Sequence, residues 1–211
     1  TNTCKGCDLS GLNLPEIFEG GADLRGANLT NANLPGVQLG AANLQGANLS
    51  GANLSGASLY AANLSTNYSE YAKTNLKDVN LSGADLEEAN LDGADLSGAN
   101  LTNAKLTKAK FFSTKLTGAN LSGVDLSRAE MEYANMTGAN LSRANLTDAR
   151  MQGVNLYEAV STLTQLDGVY LYKANLTNVD FTKGTSMKNI ELDSAIYCNT
   201  TMPWGVLNDG C

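Results

Sequence analysis

The sequence contains no histidine, only three prolines and one tryptophan, and aromatic residues make up 6% of its 211 residues. Without histidine, the common catalytic triads and most metal-binding clusters cannot be assembled. No segment approaches the roughly 20 apolar residues of a membrane-spanning helix, so we expect no insertion into a membrane. These absences predict a protein that is not an enzyme and that uses no metal and no cofactor.

Positive charge is also scarce, since 14 lysines and arginines face 21 aspartates and glutamates, for a formal net charge of −7. Direct binding of nucleic acid is therefore disfavoured, because it requires cations that neutralise phosphates. An acidic chain with few aromatics is typical of disorder, but 43% of the residues are apolar and they recur at a fixed step, which excludes disorder. No linker interrupts the chain, and we predict one domain over residues 1–211.

What the sequence does contain is a five-residue repeat, Ala–(Asn or Asp)–Leu followed by two variable residues, as in Ala47-Asn48-Leu49. We number its positions −2, −1, 0, +1 and +2, with the leucine at 0. Repeats are predicted over 9–197, between an N-terminal cap at 1–8 and a C-terminal cap at 198–211. The frame slips near 65–70 and 183–186. Position 0 includes Leu14 and Tyr71 and is degenerate at Glu19 and Ser161.

A period of five fits neither a helix nor a flat strand. On a helix the leucines would spiral around every side, and in a straight strand successive repeats would face opposite sides. The leucines are all buried only if the chain turns inward once per repeat. The Asn or Asp at −1 and the Gly, Asn or Ser after the leucine are residues that turns favour.

The consecutive repeats resemble the pentapeptide-repeat family. The resemblance implies an all-β fold, a right-handed quadrilateral β-helix with one repeat per side and four repeats per coil. About nine to ten coils at the ~4.8 Å strand spacing would form a rod roughly 45 Å long.

The charged residues test this register independently, because residues 20 apart would lie over one another. A 20-residue coil stacks opposite charges at Asp85/Lys105, Lys105/Asp125, Glu88/Lys108, Arg128/Asp148, Asp95/Lys115, Lys110/Glu130 and Glu130/Arg150, against one like-charged pair, Lys108/Arg128. A 15-residue coil produces fewer opposite pairs and more like-charged ones. The charges therefore favour four sides.

Four cysteines lie near the two chain ends. The ends of such a rod are too far apart for a disulfide, so we expect the pairs Cys4–Cys7 and Cys198–Cys211. A redox or metal role for Cys4 and Cys7 is the rival interpretation. Disulfides indicate an oxidising compartment, and the layout resembles exported members from cyanobacteria and the chloroplast lumen. We expect export to the thylakoid lumen or periplasm, with any leader absent from this chain. Trp204 is interpreted as a lid over the last coil.

Two surface features are candidates for function. Phe112, Tyr133, Tyr170 and Tyr172 occupy outward positions on one side of the rod and form a possible protein-interaction face. The basic run Lys105, Lys108, Lys110 and Lys115 could form an anion patch, but the neighbouring rows are acidic, and we favour a ladder of ion pairs.

The functional hypothesis is a structural or protein-interaction module that presents a rigid acidic rod to an unidentified protein partner. We expect a monomer or a weak end-to-end dimer. One alternative is DNA mimicry directed at gyrase, because quinolone-resistance members of the family resemble DNA in size and charge. The other alternative is a regulatory role of the kind found in cyanobacterial members.

Overall fold

The computed structural model describes residues 3–13, 20–66, 73–208 and 211. Leu14, Glu19 and Tyr71, which were assigned to position 0, lie outside these ranges, as does most of the first frame slip. Within the described ranges, the extended strands are β1 (Thr200–Met202) and β2 (Gly205–Leu207). The described residues contain no helix of the length and apolar character needed to cross a membrane. The rest of the ladder consists of isolated parallel bridges.

These bridges join residues at position −1 in successive coils. Most partners are 20 residues apart, as for Asp85 with Lys105 and for Lys105 with Asp125. The step is 27 between Asn48 and Asn75, which flank the first frame slip, and other bridges near the second slip span 21. The bridges form four columns, so the chain is a quadrilateral β-helix. The 20-residue register predicted from the charges is confirmed.

The core is built from the residues at −2 and 0. Alanines such as Ala99 and leucines such as Leu101 are fully buried, and Phe111 and Met131 replace leucine at position 0 without becoming exposed. Full burial of each leucine stabilises the fold by roughly 1.5–3 kcal/mol before the cost of conformational entropy. The stacked leucines are therefore the main source of stability.

Each corner of the square is a turn whose residues explain the rest of the repeat. In the repeat around Leu101, the Asn100 side chain accepts a hydrogen bond from the Thr102 backbone N–H at 3.2 Å. The residue at +2, Asn103, has a φ of 57°, a left-handed conformation that favours Gly and Asn. The backbone N–H of Ala104 then donates to the Leu101 carbonyl at 2.9 Å. These turns explain why Asn or Asp is frequent at −1 and Gly or Asn at +2.

Four buried threonines replace alanine at −2 without leaving a polar group unpaired. Thr74 donates its hydroxyl to the Ser65 carbonyl at 2.8 Å. Thr114, Thr164 and Thr200 donate their hydroxyls to the carbonyls of Leu91, Leu141 and Leu176 in the preceding coil, at 2.8, 2.9 and 2.8 Å. Ser161, at position 0, is 4% exposed, and its Oγ has no hydrogen-bond partner in the described structure. Ser161 is therefore a weak point of the core.

Replacing Ser161 with alanine is expected to raise the free energy of unfolding by about 1 kcal/mol, because an unpaired buried hydroxyl is costly. Urea denaturation measures the change. Thr164→Ala is the matched control and should be destabilising, since it removes a hydroxyl that is paired. A Ser161→Ala protein that is less stable than the unmodified chain would show that the hydroxyl is paired after all.

The stacked charges follow the predicted register, but few of them form ion pairs. Of the seven opposite pairs predicted, only Glu88–Lys108 at 3.1 Å and Asp95–Lys115 at 3.7 Å come within 4 Å among the described residues. Arg150 contacts Glu132 at 2.9 Å instead of Glu130, with which it shares a backbone bridge. Exposed pairs of this kind contribute at most about 1 kcal/mol each, so the ladder of charges has little influence on stability.

The C-terminal end is covered by a hairpin. Thr201 of β1 bridges Asp180 of the preceding coil, and β1 pairs antiparallel with β2. Met202 points into the core and is 1% exposed, whereas Trp204, in the turn between the strands, is 60% exposed. The interpretation of Trp204 as a lid is wrong, because alternation along β1 directs Met202 inward and the turn carries Trp204 away from the core.

Candidate interaction surface

The four aromatic residues of the predicted strip share one side of the rod. We call it side A and define it by the bridged column Lys110, Glu130, Arg150 and Tyr170. Phe112 and Tyr172 follow this column at +1, and Tyr133 lies at +2. Side A therefore combines aromatic rings with charges of both signs.

Phe112 and Tyr133 form an exposed pair of rings in adjacent coils. Their centroids are 5.6 Å apart and the rings are nearly perpendicular, at 79°. Phe112 is 50% exposed and Tyr133 is 51% exposed. Since edge-to-face contact is a favourable geometry for aromatic rings, the two side chains hold each other in place while half of each remains open to solvent.

The Tyr133 ring is further fixed by the coil that follows. Tyr133 has a φ of 61°, and its ring lies over Gly153, where an added Cβ would be only 2.7 Å from the ring. The Gln152 side-chain amide donates a hydrogen bond to the Tyr133 hydroxyl at 3.2 Å. The ring is therefore held against the rod surface by glycine on one side and glutamine at its hydroxyl end.

Tyr170 and Tyr172 form a second pair further along side A. Their ring centroids are 6.1 Å apart with an angle of 28° between the planes. The Lys173 ammonium lies 5.0 Å from the Tyr172 centroid, within range of a cation–π contact. Between the two pairs lies a coil that contributes Arg150, Gln152 and Gly153, so the predicted strip consists of two separate aromatic pairs.

Two carboxylates beside the first ring pair are already engaged. Asp92 accepts a hydrogen bond from the Phe112 backbone N–H at 2.8 Å, and burial raises the pKa of Asp92, against the opposing effect of that bond and of Lys110. Glu132 contacts Arg150, with the glutamate side chain 14% exposed and the arginine side chain 66% exposed. Glu132 therefore holds the Arg150 guanidinium through Nε, and the arginine side chain remains mostly exposed to solvent.

A groove of about 420 Å³ lies along the edge of side A and is lined by Glu88, Lys108, Lys110, Arg128 and Glu130. The Glu88 carboxylate is occupied by the Lys108 ammonium at 3.1 Å and by the Tyr60 hydroxyl at 3.2 Å. The hydrogen bond from Lys108 is the main reason that the pKa of Glu88 is lowered. Lys110 and Arg128 have no ion-pair partner within 4 Å in the described part of the chain.

The basic run is thus only partly a ladder of ion pairs. Lys108 and Lys115 have the stacked acidic partners that the sequence predicts. Lys105 and Lys110 form no ion pair with any described residue, although their backbones bridge acidic neighbours. Sequence spacing identifies which residues stack, but it does not specify whether long side chains meet across a coil.

Among the described residues, no group of three or more His, Cys, Asp or Glu side chains is arranged so that it could hold a metal ion. The cysteines lie at the two ends of the chain, as predicted. Cys4 and Cys7 are joined with Cα atoms 5.3 Å apart, and Cys198 and Cys211 with Cα atoms 5.1 Å apart. The second pair links Cys211 to Cys198, which lies two residues before the first strand of the C-terminal hairpin.

Solved structures similar to this chain include three repeat proteins. HetL, a pentapeptide repeat protein involved in heterocyst differentiation regulation from the cyanobacterium Nostoc sp. strain PCC 7120, is 31% identical, with 96% of this chain and 92% of HetL covered and a TM-score of 0.44. QnrB1, a plasmid-mediated fluoroquinolone resistance protein, is 18% identical, with 89% and 92% covered and a TM-score of 0.42. A pentapeptide repeat protein from the Arabidopsis thaliana thylakoid lumen is 30% identical, with 49% and 69% covered and a TM-score of 0.35.

No curated protein matches the chain. A family model for pentapeptide repeats matches residues 4–40, 38–66, 74–111, 104–143 and 144–182. These segments cover most of the sequence and contain most of the residues that form the four bridged columns. The chain belongs to the pentapeptide repeat family.

Proposed function

We propose that this chain is a non-catalytic protein-interaction module, a right-handed rod of about nine to ten coils that presents side A to a partner protein. The exposed Phe112–Tyr133 pair is the observation that carries the proposal. The two rings contact each other, yet Phe112 is 50% exposed and Tyr133 is 51% exposed. Exposed aromatic rings that are held in place on a rigid surface are typical of protein interfaces.

The composition of side A also supports a protein partner. Tyrosine, phenylalanine and arginine are enriched at protein interfaces and dominate their binding energy. Side A places Phe112, Tyr133 and Arg150 in adjacent coils, each with contacts that limit its motion. Ordered side chains lose less entropy on binding than mobile ones, so this surface is prepared for association.

Export to the thylakoid lumen or periplasm is part of the proposal. Its support is the pairing of Cys4 with Cys7 and of Cys198 with Cys211, since paired cysteines persist in oxidising compartments. A monomeric rod is also proposed, because the C-terminal hairpin turns β2 back over β1. Short edge strands of this kind limit pairing between molecules.

Imitation of DNA is less compatible with the surface. A mimic of the phosphate backbone would need continuous rows of carboxylates, but Lys105 separates Asp85 from Asp125 in one column. Lys110 and Arg150 likewise flank Glu130 in the column of side A. We therefore favour recognition by side A over gyrase binding. The alternating charges do not oppose the other alternative, a regulatory role of the kind found in cyanobacterial members.

The double variant Phe112→Ser with Tyr172→Ser is expected to lose most of its partner capture, because it removes one ring from each aromatic pair. Capture is measured by affinity purification from an extract of the lumen or periplasm of the source organism. Trp204→Ser is the matched control, since Trp204 is also an exposed aromatic residue, at 60%, but lies in the turn of the C-terminal hairpin, away from the ring pairs. Unchanged capture by the double variant would remove side A as the interface.

A further inference from the structure

We propose that the partner presents an acidic segment to side A. Its carboxylates would lie in the groove beside Lys110 and Arg128, and its apolar side chains would pack on the Phe112–Tyr133 pair. This inference rests on the proposed function and names the chemistry of the partner at the same surface.

The first reason is that the charge of the groove is opposite to that of the whole protein. The molecule has a net charge of −7, but the groove is lined by three cations and two carboxylates. One carboxylate, Glu88, is bound by Lys108 and Tyr60. Of the lining residues, Lys110 and Arg128 then face one carboxylate, Glu130, which leaves one excess positive charge in the lining. Asp92 also acts on Lys110, but its carboxylate is partly buried and accepts the Phe112 N–H.

The second reason is that the carboxylates beside the rings are partly buried and already bonded, whereas the cations are exposed. Asp92 is held by the Phe112 backbone N–H, and Glu132 is mostly covered while it contacts Arg150. The Arg150 side chain is 66% exposed, and Lys110 is also exposed. A guanidinium that is anchored by one carboxylate keeps further N–H donors available for a carboxylate from outside.

The third reason is that the cations and the rings form one continuous surface. Lys110 and Phe112 are successive outward residues of the same repeat, because the side chain of Phe111 between them is buried. Tyr133 contacts Phe112 from the next coil. An extended peptide that crosses side A would therefore place a carboxylate near Lys110 and an apolar side chain on the rings within a few residues of each other.

A nucleic acid fits this surface less well than an acidic peptide. A phosphodiester chain requires a series of cations along its path, but Glu130 and Glu88 interrupt the groove. The net charge of −7 also repels a polyanion at long range. A short acidic segment needs only the two or three cations that are present and gains from the aromatic pair.

The test uses a synthetic peptide, acetyl-Glu-Phe-Asp-Glu-Leu-Asp-amide, and a counterpart in which all four acidic residues are lysine. We expect the acidic peptide to bind saturably, with amide chemical shift changes centred on Phe112 and Tyr133 and affinity that falls as salt is raised. The lysine peptide should bind more weakly, despite the negative charge of the protein. Stronger binding of the lysine peptide, or no saturable binding of the acidic one at millimolar concentration, would overturn the proposal.

Variants locate the site. Lys110→Gln combined with Arg128→Gln should weaken binding of the acidic peptide about tenfold, which corresponds to 1.4 kcal/mol. Lys188→Gln should change it less than twofold, because Lys188 lies three coils from Arg128 along the column that ends at Ser186. Tyr133→Gly also weakens binding, and it suits the fold because glycine is the usual residue at +2. Equal affinity of the charge variants and Lys188→Gln would contradict the proposal, as would stronger binding of a single-stranded DNA oligonucleotide at the same residues.

The outcomes also separate this inference from the proposed function. If the Phe112→Ser, Tyr172→Ser protein loses its partner while the acidic peptide fails to bind, side A is the interface and the partner is not acidic there. If the acidic peptide binds at Lys110 and Arg128 but partner capture is unaffected by the aromatic variant, the groove binds acidic peptides and the proposed interface is wrong.

Discussion

Replacing Phe111 with alanine is expected to lower the free energy of unfolding by about 3–5 kcal/mol, the usual cost of deleting a buried phenylalanine. Phe111 is fully buried at position 0, in the middle of the rod, and contacts between coils are the only tertiary contacts that a solenoid has. The cavity would weaken the coil of Phe111 and its interfaces with the coils on both sides. Urea denaturation followed by circular dichroism measures the loss.

The adjacent residue provides an unusually close control. Phe112 has the same side chain and follows Phe111 directly, but it is 50% exposed. Phe112→Ala should cost no more than about 1 kcal/mol, mainly from the edge-to-face contact with Tyr133. If the two alanine variants lost similar stability, the assignment of inward and outward positions in this repeat would be incorrect.

The fold could be predicted in detail because nearly every pentapeptide of the sequence forms the same turn and buries the same two positions. The period of five requires one turn per repeat, and the charges at spacing 20 distinguish four sides from three. Both inferences agree with the bridges from Asp85 to Lys105 and from Lys105 to Asp125. The prediction was less accurate where the repeat ends, since the inward residue of the C-terminal cap is Met202 and not Trp204.

The candidate site was predicted only in outline. Spacing placed Phe112, Tyr133, Tyr170 and Tyr172 on one side, because outward positions follow directly from the register. The contact of Tyr133 with Gly153 depends on side-chain direction, which the register does not determine. The same holds for the pairing of Arg150 with Glu132. The sequence carried no distinct signal for these contacts, since Lys108, Arg128 and Leu163 occupy +2 in the same conformation as Tyr133.

Replacing Cys198 and Cys211 together with serine is expected to destabilise the last coils by about 3 kcal/mol, the chain-entropy value for a loop of this length. The two residues are 13 apart and enclose the hairpin whose Met202 closes the core. Because each coil contacts only its neighbours, the loss should be local. Hydrogen exchange at Thr201 and Met202 should accelerate by roughly two orders of magnitude, while exchange at Leu101 should not change.

The N-terminal pair is the matched comparison. Cys4 and Cys7 are separated by only three positions, so their replacement with serine should cost less, about 2 kcal/mol, and should affect only the first coil. Both pairs also predict an intact mass, measured without reductant, about 4 Da below that of the reduced chain, because each disulfide removes two hydrogens. Four free thiols in protein isolated from its native compartment would remove the support for export. Unchanged hydrogen exchange of the hairpin amides in the Cys198, Cys211 serine variant would show that Met202 and the β1–β2 pairing are sufficient to close the rod.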